Sequence, residues 1–346
     1  MASTEFRVGA GCNCRQAVRQ MGQVQKRSRR LKPRAPSEND QPTRLPEEKR
    51  TMQQKNRPFE LGDVRMHTRE LGDGVYAVMA ADVDDTDHTA TNAGFAVGDS
   101  GVLVVESLSN GRLASQVIGA VRTVTSLPIR FLVNTSFHGD HCFGNFAFPS
   151  QTVIIHHEAT KRAIDERFEQ DRAFMIDLLG PNVGIEEVVA RSADVAVSGP
   201  CSLDLGGKHV DIDHIGFAQT DGDLVVRMRE DNIVFVGNML QAPPPAFPWL
   251  LEGRAHEALA TYRRLYDVLD DDTLIVPGHG RTMRRADILH SIAYLEELTG
   301  LARDAHDKGL PADQAHQALE MKEYSDYSMY ESIHLQVNIP AVLNAQ

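Results

Sequence analysis

The densest group of chemically competent side chains in the chain is Asn134-Thr-Ser-Phe-His-Gly-Asp-His-Cys-Phe-Gly-Asn145, which sets His138, Asp140 and His141 within four residues. Imidazole nitrogen and carboxylate oxygen are ligands that zinc accepts. The group directly follows Ile129-Arg-Phe-Leu-Val133, an apolar run that reads as a buried strand. A strand leading into a glycine-containing loop aims successive side chains at one point. A single histidine in apolar surroundings is ordinarily structural; two His and an Asp in H-x-D-H spacing after a strand point instead to a metal.

The elements that must position this loop alternate between two periods. Gly74–Met79, Thr91–Val97, Gly101–Val105 and Thr152–His156 read as strands, Leu113–Val124 and Glu158–Leu179 as amphipathic helices. Residues 185–236 turn strand-rich, with Val188–Ala190, His209–Ile212, Asp223–Met228 and Asn232–Val236. Arg254–Leu269 reads as a helix and Thr273–Val276 as a strand running into Pro-Gly-His-Gly, and 283–320 and 327–338 read as helical. The order β-rich, α, β-rich, α predicts an α/β protein with two packed sheets and helices outside, an αββα sandwich.

Of the 346 residues 42% are hydrophobic and 24% charged, the balance of a globular chain, and no apolar run approaches the ~18 residues of a membrane helix, so no membrane association is expected. Residues 1–50 carry 12 Lys/Arg against 5 Asp/Glu, a net of +7, which leaves −19 for the remainder of a chain whose total is −12. An acidic body argues against a nucleic-acid partner. Residues 1–57 are expected to be a disordered basic tail and 58–346 one catalytic domain, helical from about 283. Arg29-Arg30 is no export signal, because Leu-Lys-Pro-Arg follows where an apolar core is required. Four cysteines, two of them in a Cys12-x-Cys14 pair, give no disulfide framework and fit a reducing cytoplasm.

The loop at 134–145 resembles the first motif of the metallo-β-lactamase fold superfamily, N-T-H-x-H-x-D-H-x-x-G-N, and the resemblance spans about residues 70–282. Three later motifs follow in order: Gly216-Phe-Ala-Gln-Thr-Asp-Gly-Asp223, Gly237-Asn238 and Pro277-Gly-His-Gly280. The resemblance implies two zinc sites, and the departures decide between them. Site one would be Ser136, His138 and Gln219, with two of three imidazoles lost. Site two would be Asp140, His141 and His279, with Asn238 where a bridging Asp belongs. The expectation is therefore a single zinc in site two, of formal charge about +1, able to acidify a bound water toward neutral pH. Ser136 and His138 are then freed for catalytic work beside Asp140, His138 shuttling a proton or orienting the nucleophile and Ser136 hydrogen-bonding substrate or water.

Within that family the S-x-H-x-D-H variant with Asn238 is similar to a branch of hydrolytic dehalogenases that replace an aromatic chlorine of chlorothalonil (tetrachloroisophthalonitrile) with hydroxide. That resemblance implies a small chlorinated aromatic substrate. Its apolar slot would be rimmed by the proline-stiffened loop Gln241–Trp249, with Phe247 and Trp249 as ring faces and Gln219 and His88 as further contacts. An ester, lactone or β-lactam hydrolase of the same fold, and a non-catalytic degenerate member, are the alternatives. His156-His157, at the end of a strand and the start of a helix, is a candidate for a second, structural zinc between subunits. The apolar residues of the C-terminal helices, among them Tyr324, Tyr330 and Leu335, are expected to dock on the body or on a twin subunit, as in a homodimer.

Overall fold

A computed structural model describes residues 6–8, 64–80, 90–242, 246–327 and 329–345. Among the described residues fourteen strands form two seven-stranded sheets. One has the order β2-β3-β4-β5-β6-β7-β8: His67–Gly72, Val75–Met79, Ala93–Gly98, Gly101–Val105, Ile129–Val133, Val153–His157 and Val195–Val197. The other has the order β1-β9-β10-β11-β12-β13-β14: Phe6–Val8, Cys201–Asp204, His209–Asp213, Val225–Met228, Ile233–Gln241, Leu274–His279 and Met283–Arg284.

Strands β5 to β8 run parallel, and β12 runs parallel to β13. These strands are apolar on both faces because both faces are covered. The alternation is visible residue by residue. Val102 and Val104 of β5 and Val234 and Val236 of β12 join the core beneath the helices. Leu103 and Val105, and Ile233 and Phe235, join the core between the sheets. Helices Gly111–Val124 and Glu158–Leu179 make two of the crossovers, the first capped by Asn110, whose Oδ1 accepts from Leu113 N at 2.8 Å. The αββα sandwich read from the element order is the fold observed, and no described helix is long and apolar enough to cross a membrane.

Several elements differ from the sequence reading. Val188–Ala190 is no strand but part of an irregular connection, with Val189 62% exposed. The continuous helix read over 283–320 is divided: Met283–Arg284 pairs with β13, the helix spans Ile288–Asp307, and Gly309, at φ +61°, and Pro311 separate it from Ala312–Ala318. The expected tail is described only at Phe6–Val8, which pairs antiparallel with β9. The C-terminal segment docks on its own body, where Asn338 accepts from Leu250 N and donates to the Pro248 carbonyl.

Candidate metal centre

The loop after β6 bends at once into the short helix Gly139–Cys142, which turns Asp140 and His141 toward the end of β13. Asn134 holds this bend: its Nδ2 donates to the His141 carbonyl at 2.9 Å, and its Oδ1 accepts from Asn145 at 2.8 Å and from His156 Nε2 at 2.7 Å. Asn92 holds the opposite wall. Its side chain donates to the Pro277 and Gly280 carbonyls, at 2.9 and 2.8 Å, and fixes the turn around His279.

Asp140, His141 and His279 converge, with one ligand atom from each lying within 4.8 Å of the others. Asp140 Oδ2 is 3.4 Å from His141 Nε2 and 3.3 Å from His279 Nε2. Two ligands about 2.0–2.1 Å from one tetrahedral zinc sit about 3.3–3.4 Å apart, so this spacing fits the ion. Both imidazoles are fully buried. The donor set is borderline-hard nitrogen and oxygen, which also suits zinc.

Asn238 lies beside them. Its Nδ2 is 3.1 Å from His138 Nδ1, and a Cβ on Gly278 would stand 2.7 Å from its Oδ1, so the Pro-Gly-His-Gly turn passes close to that amide only because residue 278 is glycine. Gly237 makes the same concession on the other side. The register of β12 against β13 slips there, its φ is +50°, and a Cβ would fall 1.8 Å from Thr135 Oγ1.

Two supporting residues were not found in the sequence. Glu106, 1% exposed at the end of β5, brings Oε1 within 3.0 Å of His141 Nδ1 and accepts from the Thr135 amide and hydroxyl. Thr91 donates its hydroxyl to Asp140 Oδ2 at 2.6 Å. These are the carboxylate and hydroxyl that orient ligands from behind. An acid placed straight after the wholly apolar run Gly101–Val105 was the available signal for Glu106.

Charge balance follows from burial. Burial alone would raise Asp140, but His141 and His279 outweigh it and hold the carboxyl well below the usual range. Burial would lower His141, but Asp140 and Glu106 raise it to about 9. His138 is lowered to about 4, chiefly by burial, and so is neutral near pH 7.

The remaining expected residues fall as follows. Ser136 is fully buried on the same turn, its Oγ 3.4 Å from the His138 amide. Gln219 is 1% exposed, and among the described residues neither its amide oxygen nor its amide nitrogen has a hydrogen-bond partner. Its loop is pinned by Asp223, which accepts from the amides of Ala218, Gln219 and Thr220. Trp249 is 7% exposed with its ring centroid 5.3 Å from that of His279. Phe247 lies instead against Tyr294 and Tyr327, at 5.2 and 5.9 Å in near-parallel stacks. His88 lies outside the described residues. His156 is engaged by Asn134, and His157 accepts from the Ala159 amide and stacks on His214; among the described residues neither joins a three-ligand group.

A family model described as the metallo-beta-lactamase superfamily matches residues 86–279, more than half of the chain. Among solved structures 301 chains match. A metallo-beta-lactamase from Pontibacter korlensis aligns at 15% identity and TM-score 0.55, over 67% of this chain and 99% of its own. The DIM-1 metallo-beta-lactamase aligns at 12% identity and TM-score 0.54, over 67% and 97%. A double mutant of the sec-alkyl sulfatase PisA1 aligns at 14% identity and TM-score 0.61, over 81% of this chain and 50% of its own. At these identities the likeness establishes the fold alone. No curated protein sequence matches.

Proposed function

Because this chain belongs to the metallo-beta-lactamase superfamily, we propose that it is a hydrolase working with one zinc ion held by Asp140, His141 and His279, with the Asn238 amide beside them. We propose further that it removes a chlorine from a flat, electron-poor aromatic nitrile, chlorothalonil, as water replaces chloride on the ring. The observation that carries the reading is the division of the site. Asp140, His141 and His279 converge within 4.8 Å with their supporting residues in place, whereas the sequence has Ser136 and Gln219 at the positions where the family motif has imidazoles for a second metal.

When bound, the ion supplies Lewis acidity and lowers the pKa of a water toward about 7. The chain supplies the rest. His138 Nδ1 accepts from the Asn238 amide, so its ring proton sits on Nε2; this hydrogen bond keeps the Asn238 oxygen turned away from His138. His138, neutral at pH 7, offers that Nε2–H to substrate or water without adding a charge. The unpartnered Gln219 amide can donate to a nitrile nitrogen as negative charge spreads into the ring. Trp249 offers an aromatic face beside His279. The overall change is balanced: water plus aryl chloride gives a phenol, chloride and a proton, with no redox partner.

Zinc per chain and chloride release from chlorothalonil, measured on the wild type and on His279→Ala, test this reading. One zinc with chloride release, both lost in the variant, is the expected result. Zinc without chloride release moves the substrate to an ester, lactone or β-lactam. Two catalytic zincs overturn the single-ion reading, and no zinc overturns the hydrolase.

A further inference from the structure

The segment beyond the sandwich reaches back to the metal centre. Residues 330–338 form a π-helical stretch, a geometry that recurs at functional sites. The Asn338 side chain at its end is fully buried and fully engaged. Its Oδ1 accepts from Leu250 N at 2.8 Å, and its Nδ2 donates to the Pro248 carbonyl at 2.7 Å and to the Tyr294 hydroxyl at 2.8 Å. Pro248 and Leu250 are the two neighbours of Trp249, so one amide grips the backbone on both sides of the indole.

The grip is itself held. His334 Nε2 lies 3.1 and 3.0 Å from the Leu319 and Glu320 carbonyls, so the ring proton is on Nε2 and Nδ1 accepts from Tyr294 at 2.8 Å. Tyr294 also stacks on Phe247, at 5.2 Å, and so fixes the loop one residue before Pro248. Closing a hydrophobic core needs none of this. An apolar residue in place of Asn338 would avoid burying an amide, which costs free energy unless every donor and acceptor is met. What the network adds is direction, and what it directs is Trp249, whose ring stands 5.3 Å from metal ligand His279.

We propose that Asn338 is a positioning residue of the metal centre: by fixing both peptide neighbours of Trp249 it sets the indole against His279 and thereby the width of the slot that receives an aromatic substrate. The identity of that substrate rests on the function proposed above; the clamp on Trp249 does not.

Trp249 is the sole tryptophan of the chain, so its emission reports this place alone. Zinc-loaded wild type, Asn338→Ala and Tyr294→Phe are compared by emission maximum, acrylamide quenching and chlorothalonil kinetics. In Asn338→Ala the emission shifts to the red and quenching rises, zinc stays at one per chain, and KM rises about three- to tenfold with kcat within about twofold, the loss of one aromatic contact. Tyr294→Phe keeps the ring stack and removes one hydroxyl, so it shifts emission and quenching in the same direction by less; it decides the matter if Asn338→Ala does not fold. Wild-type emission, quenching and KM in a folded variant, with only a lower Tm, overturn the proposal. If the wild type releases no chloride, the substrate reading fails, and emission and quenching still decide the role of Asn338.

Discussion

Glu106→Gln should loosen zinc about 10- to 100-fold while the fold is kept, the usual consequence of losing an outer partner of a ligating histidine. Glu106 Oε1 lies 3.0 Å from His141 Nδ1, and the Thr135 amide lies 3.3 Å from both carboxylate oxygens. The Thr135 hydroxyl also donates to Oε1. The carboxylate therefore meets donors on both oxygens and is 1% exposed, where its charge is poorly screened. Glutamine keeps the shape but turns an N–H toward one of those donors and removes the charge that keeps His141 Nδ1–H in place. That range of about 10- to 100-fold corresponds to about 1.4–2.7 kcal/mol for losing this close carboxylate–imidazole contact in a buried site. The measurement is competition for zinc against a chromophoric chelator, with the thermal midpoint recorded alongside. Glu106→Asp, which keeps the charge and withdraws it by one methylene, should fall between wild type and Gln. A Gln variant of unchanged fold that holds zinc within about twofold of wild type refutes the claim that Glu106 anchors His141.

Other consequences can be checked independently. His156 is lowered from 6.5 to about 3, first by burial and then by Lys161, so between those pH values the unfolded chain binds a proton that the native chain does not. Stability from this residue is complete above about pH 6.5 and falls by up to about 1.4 kcal/mol per pH unit on acidification; in urea unfolding at pH 7 and pH 5, His156→Gln should flatten that slope, and equal slopes would contradict it. Gly237→Ala pushes a Cβ to 1.8 Å from Thr135 Oγ1 at a φ of +50°, and should cost about 1–3 kcal/mol and release zinc; a variant as stable as wild type would show that the bulge yields freely. We propose a homodimer, for which light scattering should give twice the 38.3 kDa chain mass, and the single-chain mass would sink it.

How much of this was legible depends on how local the cause is. Gly101–Val105, Ile129–Val133 and Glu158–Leu179 were read to the residue because their period is set by burial on two faces or on one stripe. Strands β8 and β9, with three and four residues, are too short to show a period and exist only through their neighbours. Val188-Val-Ala190 has β-branched residues but no partner strand. In the site, Asp140 and His141 announced themselves by spacing. Thr91 did not, since a threonine carries no signal until Asp140 is folded onto it at 2.6 Å. Phe247 was read as a substrate face from its proline-rich surroundings, while the rings that stack on it, Tyr294 and Tyr327, arrive more than forty residues later in the chain.

The same distinction bears on whether the centre is a relic. A decaying site loses its outer partners as readily as its ligands, because neither is then under load. Here the losses are sorted. Ser136 and Gln219 replace the imidazoles of the family motif in the sequence, while Thr91 bonds the Asp140 carboxylate, Glu106 lies against the His141 ring, and Asn134 and Asn92 hold the backbone at His141 and on either side of His279. One buried carboxylate, one half-buried carboxylate and two fully buried imidazoles crowd one spot, which is unfavourable for a chain with nothing to bind there. A structural role alone would be met more stably by apolar side chains of the same volume. Retention of the whole costly set, together with a buried Gln219 amide that has no partner among the described residues, is what supports our proposal of a single-ion centre that still receives a ligand.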